Sequence, residues 1–285
     1  MPTSRSLDHF VICVGDIETA AEAWRRLGFR VMPVMQHVNI GTSNVIVQFE
    51  DTYLELIGDF DYCHLAPLID RMQPWLALDE DVYWQTSITS RRLEDELEPL
   101  RAKGLTPQPI NSAARRVRLT EGGWDETDSR SFYTFNEHDI HASLFMSDHR
   151  KPEAIWMPGW QCHPNTTRRV LGISYLAEDV ARVANYMSLM FGAEPDEKAP
   201  DRMAFRTPRG EFLEICDQAA GRVPGSQPLQ AGVGARGAAF TIGVDSVERC
   251  RWALRDGGVP HRQLDQGLVV PASHGCGMAL HFREV

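Results

Sequence analysis

The stretch His9-Phe10-Val11-Ile12-Cys13-Val14, running into Gly15-Asp16 and a helix that opens at Ile17, decides the fold because it occurs four times. Each apolar strand leads to a helix entry, at Ile17, Leu93, Val180 and Val247, and then to a closing glycine, at Gly28, Gly104, Gly192 and Gly258. The glycines lie 76, 164 and 230 residues beyond the first, and the entries 76, 163 and 230. Two marks that return one set of offsets establish a repeat, and a repeat fixes the architecture before any single residue is interpreted.

Copy one, Leu7 to Gly58, shows the unit in full. Its helix carries Ala20, Ala21, Trp24 and Leu27 on one face, and Gly28 ends it as a left-handed cap. Strands are expected over Arg30–Gln36, Asn44–Phe49 and Tyr53–Ile57, separated by polar turns, so the unit reads β-α-β-β-β. Copy two spans 83–146, with strands Tyr83–Thr89 and Ile140–Met146 and a long polar stretch, Asn111–Arg130, that suits a lid. Residues 59–82 are an insertion joining the first two copies, and copies three and four span 170–216 and 238–285. Residues 147–168, rich in turn formers, read as a linker between an N-terminal domain (1–146) and a C-terminal domain (169–285). Gly221 to Gly237 reads as a flexible surface connection.

With 285 residues and 43% hydrophobic content the chain can bury a full core. A net charge of -10 argues against nucleic acid or an anionic membrane as partner, because both need clustered Lys and Arg. The tight basic cluster Arg115-Arg116-Val117-Arg118 reads as a solvated loop. No apolar run approaches the roughly 18 residues of a membrane span, and the residues before the first strand leave no room for a signal core, so cytoplasmic residence is expected. The six cysteines show no CxxC pair; Cys13, Cys216 and Cys250 sit in apolar segments as small hydrophobes.

Four such modules resemble the vicinal oxygen chelate superfamily, which includes glyoxalase I, extradiol dioxygenases, fosfomycin-resistance proteins and bleomycin-binding proteins. Leu7-Asp8-His9, Gly41-Thr42-Ser43-Asn44, Tyr53-Leu54-Glu55-Leu56-Ile57 and the linker tail His163-Pro164-Asn165 are similar to its glyoxalase-like domain branch. The resemblance implies an α+β fold: four βαβββ modules forming two paired, cupped mixed β-sheets with helices outside, around a metal or ligand pocket. It also implies a divalent metal ion (Zn, Fe(II), Mn or Ni) and a small-molecule substrate. Four copies complete both pairs internally, so a monomer serves as well as a homodimer.

In these modules the metal ligands come from the first and fourth strands. His9 opens the first strand of copy one. In the fourth, Leu54 and Leu56 belong to the helix-packed face, so Tyr53 and Glu55 share the other. A carboxylate between apolar neighbours is costly unless it faces a solvated or metal-filled cavity. The offsets place Gln85, Gly172 or its neighbour, and Ala239 at the His9 position of the other copies. At the Glu55 position copy three has Glu214, without a histidine partner and so read as a relic of duplication or a structural ion-pair residue, and copy four has His281. In copy two, alternation over Ile140–Met146 sends His141, Ser143 and Phe145 into the cup.

Two pairings are open. If copies one and two pair, the site is His9, Glu55, Gln85 and His141; if copies one and four pair, it is His9, Glu55 and His281, a two-His-one-carboxylate set. Sequence adjacency favours the first and ligand chemistry the second. His37 is a proton-transfer group, a third ligand or a polar turn residue, while Asn44, Tyr53 and Gln85 are candidates for binding substrate. Trp75, Trp84 and Trp124 line the mouth or fill core, and His149, His163 and His274 show no evident partner.

The expected function is a metal-dependent enzyme whose small substrate chelates the metal through neighbouring oxygens, with His37 and Glu55 moving protons. Lyase, isomerase, hydrolase and dioxygenase chemistry all fit such a site. The rival is a metal-free binding or sequestration protein of the bleomycin-resistance type.

Overall fold

A computed structural model describes residues 4–38, 41–60, 81–119 and 122–285, so Cys63 and Trp75 lie outside the described residues. Copy one supplies β1 (Leu7–Cys13), α1 (Ile17–Arg26), β2 (Met35–Gln36), β3 (Ser43–Gln48) and β4 (Tyr53–Gly58). Copy two supplies β5 (Val82–Thr89), α2 (Leu93–Ala102), β6 (Asn111–Ala113), β7 (Arg116–Arg118), β8 (Trp124–Glu126), β9 (Ser129–Thr134) and β10 (Leu144–His149). The third contributes β11 (Thr167–Ala177), α3 (Val180–Phe191), β12 (Glu197–Ala199), β13 (Arg202–Arg206) and β14 (Phe212–Asp217). The fourth contributes β15 (Ala235–Val244), α4 (Val247–Asp256), β16 (Arg262–Leu264), β17 (Gly267–Val270) and β18 (Ala279–Glu284).

The repeat marks have local causes. Asp16, Asp179 and Ser246 accept the backbone N–H of Thr19 (2.7 Å), Arg182 (2.9 Å) and Arg249 (3.3 Å), capping three of these helices. All four closing glycines have left-handed φ, between 64° and 84°, which a side chain would resist. Two expected strands differ in extent. Pro33 has no N–H to give a ladder, and β2 shrinks to two residues. Residues 140–142 form a 3₁₀ turn, so the last strand of copy two starts at Leu144.

The modules form two eight-stranded sheets, in the orders β2-β3-β4-β1-β5-β10-β9-β6 and β12-β13-β14-β11-β15-β18-β17-β16. Each sheet joins two modules through antiparallel pairing of their first strands. In β1–β5, His9 faces Ser87 and Val11 faces Gln85; in β11–β15, Gly172 faces Thr241 and Ser174 faces Ala239. Copy one therefore pairs with copy two and copy three with copy four. The one-with-four arrangement is corrected by this register.

The helix-bearing faces of both sheets share one apolar core. Phe10 meets Phe240 edge-on at 5.0 Å and Tyr83 meets Tyr175 at 6.0 Å. Thr86 Oγ1 lies 2.5 Å from the Tyr83 hydroxyl and 2.7 Å from that of Tyr175, so the buried phenols have polar partners. No helix among the described residues is long and apolar enough to cross a membrane. Burial pushes the thiols of Cys216 and Cys250 up to about 12, which suits packing rather than nucleophilic chemistry.

The opposite faces are the two cups. The second is filled by its own chain: Val223 packs against Leu176, Cys216 and Ala279, and His281 Nε2–H donates to Pro224 O at 2.7 Å. Of the stretch Gly221 to Gly237, the last three residues open β15 and the part around Val223, Pro224 and Leu229 is a plug rather than a loose connection. Segment 163–165 has an equally definite task. His163 Nδ1 accepts from Arg30 N–H (3.0 Å), its Nε2–H donates to Gln48 O (2.7 Å), and Asn165 N–H donates to Gly28 O (3.0 Å). It clamps the end of α1.

His163 is neutral in the folded state: burial, aided by the Arg30 charge and opposed by the Gln48 bond, brings its pKa down to about 4. The unfolded chain takes up this proton near pH 6.5, so stability is lost as pH falls from there toward 4, by about 2 to 3 kcal/mol for this group. Urea titrations across that window are expected to show His163→Gln losing about one proton's worth of slope; an unchanged slope contradicts the assignment.

Candidate functional site

The cup of the first sheet holds a cavity of about 80 Å³. β1 and β4 lie side by side in parallel, pairing His9 with Tyr53 and Val11 with Glu55, which places His9, Tyr53 and Glu55 on one face. β3 brings Asn44, and the chain after β2 brings His37. All of these except Gln85, His141 and His281 among the expected site residues line the cavity.

Each imidazole is held from behind. His9 Nδ1–H donates to Asp8 Oδ1 at 2.6 Å, and its Nε2 faces Glu55 Oε2 at 3.9 Å. The ring is stacked on Tyr53 at 4.4 Å with 7° between planes. His37 Nδ1 lies 2.7 Å from Thr42 Oγ1, and its Nε2 stands 3.6 Å from Glu55 Oε1. Between them sits the Asn44 amide, whose Nδ2–H donates to Glu55 Oε1 (2.6 Å) and lies 3.2 Å from His37 Nε2. Burial holds the His37 imidazole below its ordinary pKa; the Glu55 charge opposes this and the Arg115 charge adds to it. Burial, with the charges of Glu55 and Asp8, raises the Tyr53 phenol well above its ordinary value.

Behind this layer Asp8 is shared. Its Oδ1 also accepts from His149 Nε2–H at 2.8 Å, and His149 Nδ1 lies 2.8 Å from Ser129 Oγ. Burial alone would raise the Asp8 carboxyl, but the His149 charge and the bonds from both imidazoles hold it far below the carboxylate range. His149 moves up despite its burial, drawn by Asp8. Asp8, His9 and His149 thereby form a cluster of three metal-capable side chains, their donor atoms within 4.8 Å of one another.

Three sequence candidates lie elsewhere. Gln85 is fully buried opposite Val11, below the cavity lining, and neither side-chain polar atom has a partner among the described residues. His141 is in the 3₁₀ turn ahead of β10, where burial and the Arg236 charge bring its pKa down to about 4; alternation failed because the strand had not begun. His281 belongs to the second sheet and anchors the plug. Glu214 is a structural ion-pair residue, accepting from Ser174 Oγ–H (2.5 Å) and Arg202 Nε–H (2.7 Å). Trp84 stacks on Tyr133 inside the cup, whereas Trp124 is exposed on the β7–β8 hairpin.

Two further residues, His149 and Arg115, belong to this cavity. His149 ends β10 on the cup-facing alternation of Phe145 and Ser147, a signal visible once the strand is extended past Met146. Arg115, placed above in a solvated loop, is 2% exposed in the cavity wall. The stretch around it is wall rather than lid: β6 pairs with β9, and Val117 packs against Met32, Ile46 and Tyr53.

Residues 7–191 match the model of a family described as a glyoxalase-like domain. None of the curated protein sequences matches the chain. Among solved structures, it is similar to a hypothetical protein from Staphylococcus aureus, at 9% identity and a TM-score of 0.69, with 99% of this chain and 100% of that one covered. It is also similar to a variant of 4-hydroxymandelate synthase from Streptomyces coelicolor, at 11% identity and a TM-score of 0.58, with 100% of this chain and 93% of that one covered. At such identities these two likenesses establish the fold alone.

The Asp8–His149 pair stabilises the fold where Asp8 is ionised and His149 protonated. That contribution drops as pH rises through the raised His149 pKa, and as pH falls through the depressed Asp8 pKa. Asp8→Asn is expected to cost about 3 kcal/mol in urea unfolding at neutral pH and to lower the His149 pKa read by NMR. A loss under about 1 kcal/mol with an unmoved His149 resonance contradicts the pairing.

Proposed function

From the premise that the chain belongs to the glyoxalase-like domain family of the vicinal oxygen chelate superfamily, we propose that the first cup is a divalent-metal-dependent catalytic centre acting on a small oxygenated substrate. The observation that carries the reading is the orientation of two imidazoles. His9 is fixed by Asp8 and His37 is held by Thr42, so that both Nε2 atoms turn toward one carboxylate, Glu55. Two imidazoles and a carboxylate suit Zn, Fe(II), Mn or Ni and leave positions open for substrate oxygens. The Asp8-His9-His149 cluster is less suited to be the first layer, because Asp8 Oδ1 is already committed to two hydrogen bonds. It suits the supporting role that carboxylates play behind metal-bound histidines.

Such a metal, when bound, supplies Lewis-acid polarisation of the substrate's oxygens. The chain's residues do the rest. Glu55 turns Oε1 to Asn44 and His37 and leaves Oε2, 3.9 Å from His9 Nε2, as the oxygen placed to move a proton. His37, held neutral, keeps its Nε2 lone pair available at neutral pH. Tyr53 and Phe145 pack on the His9 ring and fix its plane. Lyase, isomerase and hydrolase reactions begin from this polarisation, a dioxygenase would need a redox-active metal such as Fe(II) to activate O2, and the fold does not choose among them.

One observation favours a second reading, a metal-free binding protein. The Asn44 amide already links Glu55 to the Arg115 cation, closing the charge balance of the cup without a metal. Metal analysis of protein purified without chelator separates the two. About one equivalent of a divalent metal, with at least tenfold weaker metal binding in His9→Ala, is expected. Less than about a tenth of an equivalent, with unchanged small-ligand affinity in His9→Ala, supports the binding protein instead.

A further inference from the structure

Among the described residues, Arg115 is a buried cation without an anion of its own. Its Nη1–H donates to Asn44 Oδ1 at 3.0 Å, its Nη2 reaches only the sulfur of Met32 at 3.5 Å, and its Nε has no acceptor among the described residues. No carboxylate among those residues comes within ion-pair distance of the guanidinium. Charge reaches it only through Asn44, which donates in turn to Glu55 Oε1 at 2.6 Å. An unpaired buried guanidinium is expensive, yet the structure holds this one firmly. Arg115 N–H donates to Thr127 Oγ1 (3.0 Å), Thr127 N–H donates to Arg115 O (2.9 Å), and its backbone bridges to that of His37.

We propose that Arg115 is the substrate's anion anchor, and that the substrates are small monocarboxylic acids carrying a second oxygen next to the carboxylate. The inference deepens the metal-centre reading and rests on it: once Glu55 serves a dication, the Arg115 charge is left uncompensated, and an incoming carboxylate neutralises it. A planar carboxylate matches the guanidinium fork in a way a hydroxyl or neutral carbonyl does not. The intervening Asn44 sets the spacing, with the carboxylate on the arginine side and the neighbouring oxygen on the side of Glu55 and His37. Burial brings the Arg115 pKa down only to about 10, against the pull of Glu55 and Tyr53, so the side chain is charged at neutral pH. The cavity of about 80 Å³ suits a molecule of this size rather than a drug-sized ligand.

The test uses the full chain loaded with zinc and titrates glycolate, lactate and pyruvate calorimetrically, each against its own uncharged amide. At least one acid is expected to bind tenfold or more tightly than its amide. Arg115→Gln should bring that ratio to near one with zinc content unchanged, and Arg115→Lys should retain part of it. The anchor is overturned if no acid exceeds its amide by threefold in the wild type, a comparison that stands even if Arg115→Gln fails to fold. It is overturned equally if the preference survives in Arg115→Gln. Zinc content read on the same samples separates the two proposals. One equivalent of zinc with equal acid and amide binding removes the anchor alone, whereas an acid preference lost in Arg115→Gln without bound zinc removes the metal alone.

Discussion

The antiparallel pairing of β1 with β5 is the constraint on which the rest of the molecule depends. With His9 opposite Ser87 and Val11 opposite Gln85, copies one and two are related by a local dyad between the strands. One consequence is that His9 and Gln85 are counterparts under that dyad, although only His9 reaches the cavity. Another is that a strand slip of one residue would turn His9 to the apolar core and Phe10 to the cup, since side chains alternate between faces. The pairing also removes copy four from the site and leaves His281 to a different task.

The two sheets repeat one design with opposite outcomes. In the first cup, His9, His37, Glu55 and Arg115 line a cavity, with Asp8 buried behind His9. In the second, the His9 position is Gly172, and a side chain there would run into Phe212, the counterpart of Tyr53. Glu214 keeps the carboxylate but spends it on Arg202, and the chain after Gly221 fills the space. Burying ionisable groups costs stability unless they are paired or put to use, and the second cup has settled that cost by pairing and plugging. The first keeps a guanidinium and two imidazoles aimed at open space.

Much of this was legible because it is local. The caps at Asp16, Asp179 and Ser246, the left-handed glycines and the placement of Tyr53 and Glu55 opposite Leu54 and Leu56 follow from short-range periodicity and turn chemistry. What was not legible is non-local. Nothing near Arg115 distinguishes it from its exposed neighbours Arg116 and Arg118; its burial follows from the hairpin folding against β3 and β4. By sequence alone His149 reads as a linker residue because the apolar alternation of β10 ends at Met146, and its partner Asp8 is 141 positions away. The plug resembled a loose connection by composition, and only the empty His9 position at Gly172 hints that the second cup had space to fill.

We propose that metal-binding chemistry belongs to the first cup and is built on His9, His37 and Glu55. The test is anomalous diffraction from crystals of protein purified without chelator, recorded at the absorption edge of the metal found by elemental analysis. A single peak about 2.0 to 2.3 Å from His9 Nε2 and a Glu55 oxygen, with Asp8 still hydrogen-bonded behind His9, is the expected result. A peak held instead between Asp8 and His149, one beside His281 in the second cup, or no peak at all would contradict it.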